Sequence, residues 1–172
     1  LLCRTGAFGD QRHGTIIWPG DLDANMTLHG EDTGDYVAVG GMPASMIAGL
    51  SLGPSGFPFY GSDTGGYRHS PPDKETFIRW FQQTALSSVM QIGTSENDTA
   101  WEFGKENVKD PEIMDLYRIY TRLHLRLWPL AWTLVDQLKT TGRPLQRPFG
   151  LQVPELGDHR WDQYFFGEDL LV

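Results

Sequence analysis

The chain has 172 residues, with 14 Lys and Arg against 22 Asp and Glu for a net charge of −8, and 40% hydrophobic against 21% charged residues. This is ordinary usage for one globular domain with a real core, and it excludes wholesale disorder or a fibrous repeat. No apolar run approaches the roughly 18 residues of a spanning helix, and an isoelectric point near 5.0 argues against phosphate-backbone binding, which needs clustered Lys and Arg.

Leu1-Leu2-Cys3 opens abruptly in apolar residues and Asp169-Leu170-Leu171-Val172 stops within an apparent strand, so the expectation is a segment of a longer protein. Cys3, the single cysteine, excludes an internal disulfide and a cysteine-based zinc site, and its apolar neighbours predict a small buried hydrophobe. Thr15-Ile16-Ile17-Trp18 reads as a buried strand closed by Pro19-Gly20, with Asp21 at its carboxyl end. The segment 41–52 has Pro43 at a helix start, Ile47, Ala48 and Leu50 as apolar contacts, and Gly53-Pro54 as its stop. Phe57-Pro58-Phe59-Tyr60 is a second strand, running into the glycine-rich loop 61–66 that carries Asp63.

Ser70-Pro71-Pro72-Asp73 has capping-box spacing, and Phe77, Trp80, Phe81 and Leu86 follow at near-helical intervals as one aromatic stripe. Residues 87–93 form a third strand ending in the polar stretch 94–99. Asp110-Pro111 opens the longest helical segment, which carries Ile113, Leu116, Tyr117, Tyr120, Leu123 and Leu127 toward a core; Pro129 kinks or divides it, and it stops before Gly142. Short apolar pieces broken by prolines then predict a β-rich module, with a boundary between 1–141 and 142–172. Strands alternating with helices imply right-handed βαβ units whose site lies at the carboxyl ends of the strands, where Asp21, Asp63 and Gln91 fall together.

The residues alone leave two readings of Asp21 open. Aspartate is a preferred turn and cap residue; equally, a carboxyl group close to the apolar ring of Trp18 is placed to act as a general acid, because an apolar neighbour disfavours the ionised form. Asp63 carries the same pair of readings. Gly49-Leu50-Ser51-Leu52-Gly53 matches the G-x-S-x-G nucleophile elbow, but a helical pattern precedes Ser51 and a strand follows, the reverse of the elbow's context. Asp21-Leu22-Asp23 with His29, Glu31 and Asp32 fits no zinc or EF-hand spacing and reads as a solvated acidic loop. Arg118, Arg122 and Arg126 make a surface ladder, and His69, His124 and His159 have no partner spacing. The sequons at Asn25 and Asn97 are short enough to arise by chance. No metal and no cofactor are expected.

The segments WPGDLDA, GLSLGPSGFPFYGSDTGGY, KETFIRWFQQTALS, LYRIYTRLHLRLWPLAWTL, GRPLQRPFGL and ELGDHRWDQYFFGEDLLV, in this order over nearly the whole chain, resemble glycoside hydrolase family 31, the α-glucosidase and α-xylosidase family. The resemblance implies an α/β fold: the later half of a (β/α)8 TIM barrel over 1–141, running into a β-sandwich domain from 142. It also implies a retaining mechanism with two aspartates, acting on a terminal α-linked sugar of an oligosaccharide or α-glycoside. The aspartate of the family's W-x-G-D motif, its general acid/base, falls on Asp21, and the nucleophile falls upstream of Leu1, which would leave the isolated segment inactive. Arg4, Trp18, Asp63 and Tyr67 take the places of sugar-binding residues, with Asp63 expected to support Arg4. The family's Arg-x-His after the eighth strand is replaced by Met90-Gln91-Ile92-Gly93. α-Glucosides are the substrates expected first; that departure keeps as alternatives a non-hydrolytic carbohydrate-binding homologue, or an α-xylosidase or α-galactosidase with altered sugar specificity.

Overall fold

A computed structural model describes residues 1–13, 16–29, 39–92, 99–103, 110–157 and 160–172. Thr15, Glu31, Asp32, Gly93, Asn97 and His159, each part of an expectation above, lie outside the described residues.

Four stretches line up in parallel. Strand β1 (Leu2–Cys3) pairs with β2 (Ile16–Ile17) through Leu2 opposite Ile16 and Cys3 opposite Ile17. Ile17 bridges on to Tyr60, and Asp63 bridges to Gln91, both in parallel. The expected strands at 57–60 and 87–93 are thus reduced to single bridges. The physical reason is Ser88, whose hydroxyl accepts from the Tyr60 N–H at 2.9 Å and donates to the Tyr60 carbonyl at 2.9 Å, doing with a side chain what a ladder does with backbone. Cys3 departs from expectation too: in β1 it is partly exposed rather than buried.

Helix α1 (Met42–Leu52) starts with a proline in its first turn and buries Met42 and Leu50. Ser51 lies in its last turn, exposed, so no nucleophile elbow forms. Helix α2 (Lys74–Thr84) buries the predicted aromatic stripe, with Phe77, Trp80 and Phe81 fully inaccessible. It begins later than the capping-box spacing indicated. Asp73, not Ser70, is the N-cap and accepts from the Thr76 N–H and hydroxyl, each at 2.9 Å. A residue before proline is disfavoured in the α region, which keeps Ser70 and Pro71 out of the helix, and the Ser70 hydroxyl turns back to the Tyr67 carbonyl.

Asp110 caps α3 (Pro111–Arg126) by accepting from the Glu112 and Ile113 N–H groups. Lys74 reaches Asp110 at 2.8 Å and Glu112 at 2.6 Å, tying the starts of α2 and α3. Between them Phe77 stacks on Phe103, and Phe81 meets Tyr117 edge-on at 5.3 Å, around buried Ile113. Pro129, which lacks the N–H and crowds the preceding turn, divides the helical segment into α3 and α4 (Trp128–Thr141) at Leu127. Gly142, at φ +70°, ends α4 with its N–H on the Leu138 carbonyl. Among the described residues no helix is long and apolar enough to cross a membrane.

Beyond Gly142 the chain forms a three-stranded antiparallel sheet in the order β3 (Gln146–Pro148), β4 (Tyr164–Phe166), β5 (Leu170–Leu171), with the short helix α5 (Phe149–Gln152) following β3. Leu145 and Phe166 pack on Leu134 of α4. The buried Tyr164 hydroxyl donates to the Leu86 carbonyl at 3.0 Å, fastening this sheet to the end of α2.

Candidate active site

Parallel pairing brings the carboxyl ends of β2, of the Tyr60 segment and of the Gln91 segment to one edge, so the loops after them converge. Trp18 leaves β2 with its N–H on the Cys3 carbonyl. Gly20 then takes φ +87°, a conformation that costs a side-chain-bearing residue, and a Cβ there would lie 2.7 Å from Arg4 Nε. The bare backbone at Gly20 therefore lets the Arg4 side chain lie alongside the turn. Arg4 Nη1 stands 3.8 Å from Asp21 Oδ1, with side-chain exposures of 61% and 35%. The Arg4 guanidinium also sits over the Trp18 ring, 5.3 Å from its centroid.

Asp63 is buried beside them. Its Oδ2 accepts from Trp18 Nε1 at 3.0 Å and its Oδ1 from Gln91 Nε2 at 3.2 Å. Burial pushes this carboxyl above its ordinary value, the Trp18 N–H pulls it back, the charge of Asp21 adds to the rise, and Gln91 opposes it. Asp63 was expected to support Arg4; among the described residues the ion pair of Arg4 is with Asp21, and Asp63 is held by two neutral donors instead. Arg4, Trp18, Asp21 and Asp63 thus form one connected group. Tyr67 is half-buried on the adjoining loop.

Backbone bonds clamp the two loops that carry these residues. The Tyr67 and Arg68 N–H groups both donate to the Leu22 carbonyl, at 2.8 and 2.9 Å, and the Ala24 N–H donates to the Arg68 carbonyl at 2.8 Å. Gly66, at φ +82°, makes the approach possible, since a Cβ there would lie 2.6 Å from Ala24 Cα. Beneath the clamp, Trp80 packs with Leu22 and Met42 and donates its indole N–H to Ser62 Oγ at 3.0 Å.

Two residues of this region were misread or missed from sequence. Asp23 is not part of a solvated acidic loop: it is 2% exposed, with Arg68 Nε at 3.6 Å and His69 Nδ1 at 3.7 Å from its Oδ1. Gln91 stands at the strand edge in the sequence reading and as a departure from the family's pattern, but its hold on Asp63, across 28 residues of sequence, carries no sequence signal. Elsewhere His124 Nδ1 lies 3.0 Å from the Ala85 carbonyl, a structural contact between helices, and Arg118 pairs on the surface with Asp115. Among the described residues no group of three or more His, Cys, Asp or Glu is arranged to hold a metal ion.

The edge of parallel strands thus carries two carboxyl groups, an arginine and an indole in one connected group. Residues 1–134 match the model of the glycosyl hydrolases family 31 TIM-barrel domain, and the chain belongs to that family. It is similar to an alpha-xylosidase of Saccharolobus solfataricus, 28% identical over all of this chain and 22% of that protein. An alpha-xylosidase of Emericella nidulans is 32% identical over all of this chain and 20% of its own length. Among solved structures, a GH31 family sulfoquinovosidase from E. rectale, in complex with an aza-sugar inhibitor, superposes with a TM-score of 0.76 at 26% identity, covering 99% of this chain and 24% of that one. The chain therefore spans about a fifth to a quarter of the length of these relatives.

Proposed function

We propose that this chain is the later half of the (β/α)8 barrel of a retaining α-glycosidase, with residues 1–141 in the barrel and 142–172 opening a β-sandwich domain. Its substrate is a terminal α-linked sugar, an α-glucoside in the first instance. The observation that carries the reading is the grouping of Asp21 with Arg4, Trp18 and Asp63 at the carboxyl ends of parallel strands. Asp21, about a third exposed, is free to reach a leaving group, protonates the glycosidic oxygen, and then takes the proton of the incoming water. Trp18 and Tyr67 offer aromatic surface to the sugar ring, while Arg4 and Asp63 bind its hydroxyls. The nucleophile belongs to a barrel strand preceding Leu1, so residues 1–172 alone are catalytically silent.

A second reading, a carbohydrate-binding homologue without turnover, draws on Met90-Gln91-Ile92-Gly93, where a cation and an imidazole are replaced by neutral side chains. One experiment on the complete protein separates them. An Asp21→Ala variant should lose about 10²–10⁴-fold in kcat/KM on a disaccharide, whose leaving group needs a proton, and far less on a dinitrophenyl glycoside, whose leaving group does not. Azide should restore turnover of the activated substrate and yield an α-glycosyl azide. Equal losses on both substrates without rescue assign Asp21 to structure, and a wild type that binds but never hydrolyses establishes the second reading.

A further inference from the structure

A carboxylate accepts hydrogen bonds and cannot donate them. Both oxygens of Asp63 already accept one, from the indole N–H of Trp18 and the amide of Gln91, and both donors are neutral. Among the described residues Asp63 enters no ion pair, and Arg4 is engaged with Asp21 and the face of Trp18. Two carboxyl groups thus face one edge of the sheet against one guanidinium. The lone pairs left on Asp63 call for further donors, and among the described residues no cation pairs with its charge, which is largely withdrawn from water.

We propose that Gln91 is a specificity-determining residue: by holding Asp63 with a neutral amide it leaves that carboxylate without a cationic partner, so the sugar-binding wall selects rings that bring hydroxyl or ammonium donors and rejects rings that carry an anionic substituent. This rests on the proposed role of Asp63 in binding sugar. The upward displacement of the Asp63 carboxyl, caused first by burial and increased by Asp21, is what an uncompensated charge in this position produces. With an effective dielectric constant of about 20, a unit charge about 6 Å from another changes affinity by roughly 100-fold.

The test is calorimetric titration of the complete protein with two probes, a piperidine aza-sugar bearing its primary hydroxyl and the same ring with a sulfonate in place of that hydroxyl. The wild type should bind the hydroxyl ring about 100-fold more tightly than the sulfonate. Gln91→Arg, or Gln91→Lys should the arginine variant fail to fold, places a cation beside Asp63 and should narrow that ratio by about tenfold or more. Gln91→Leu removes the hydrogen bond without adding charge, so it should weaken both probes and keep the ratio. Equal wild-type affinity for the two rings, no binding of either, an unchanged ratio in the cationic variant, or an equal narrowing in Gln91→Leu each overturns the proposal. Binding is read without turnover, so a wild type that never hydrolyses a glycoside sinks the enzymatic reading and leaves this one to be judged on the ratio.

Discussion

Replacing Trp18 by Phe keeps an aromatic face under Arg4 and deletes one atom group that matters, the indole N–H donated to Asp63 Oδ2 at 3.0 Å. A hydrogen bond to a charged group contributes about 1.5–3 kcal/mol, and because Asp63 is buried little of the loss is recovered from water. The variant should therefore raise the local opening equilibrium of the Asp63 loop by about 10- to 150-fold at neutral pH. The amides of Gly61, Thr64 and Gly66, bonded to the carbonyls of Ile17, Gln91 and Asp63, report that opening through hydrogen exchange in the complete protein. The pH dependence has a definite sign. The folded-state value of Asp63 lies above the ordinary aspartate value of 3.8, so its ionisation costs the folded state, and stability from this group is fully present below 3.8 and lost as pH rises through the folded value. Removing the Trp18 donor, which lowers that value, widens the loss at neutral pH. Below 3.8 both states are protonated, and the deleted bond is then a neutral one worth about half as much. After correction for intrinsic exchange, the effect of Trp18→Phe should shrink on acidification, and should shrink likewise in an Asp63→Asn background. An effect equal at both pH values and in both backgrounds refutes the charged hydrogen bond as its cause.

Two further outcomes follow from packing and backbone geometry. Phe81→Ala empties a fully buried site between Phe77, Tyr117 and Tyr120 and should destabilise the complete protein by about 3–5 kcal/mol, read as a large drop in the thermal unfolding midpoint; a change near zero would mean that α2 and α3 do not pack in this way. Gly66→Ala meets both a positive φ and backbone at 2.6 Å, whereas Gly142→Ala meets only the positive φ in open space; the second should cost about 1–2 kcal/mol and the first clearly more, with soluble yield and unfolding midpoint of the two variants compared side by side.

The helices were the most legible part of the chain because their cause is local. Phe77, Trp80 and Phe81 recur at helical spacing and point one way, and Asp110-Pro111 carries cap and first turn in adjacent residues. The start of α2 was misplaced because two signals competed: the Ser70 spacing is a cap pattern, but the restriction that each proline puts on its predecessor moves the cap to Asp73. Strand positions were legible as apolar runs, yet their hydrogen bonding was not, since nothing in the run 57–60 indicates that Ser88, 28 residues on, will take the place of a backbone partner. The site divides in the same manner. Asp21 and Asp63 stand out as carboxyl groups closing strands, whereas the choice of Arg4 to face Asp21, and of Gln91 to face Asp63, depends on which strands lie side by side. Asp23 was misread because burial of a charge is decided by the neighbouring loop, which supplies Arg68 and His69.

The way the two loops are joined bears on how this site can vary. Leu22 and Ala24 on one side, and Tyr67 and Arg68 on the other, are coupled by three backbone hydrogen bonds that survive substitution by any residue but proline at 24, 67 and 68, provided position 66 stays glycine. The side chains of Asp21 and Asp63 lie beside this clamp without being part of it. Chemistry at the edge can then change while the positions of the loops do not: an exchange at Gln91 alters the charge around Asp63 but leaves the Thr64 N–H on the Gln91 carbonyl, a bond any residue other than proline at 64 can make. Geometry set by backbone and charge set by side chains are therefore separable at this edge.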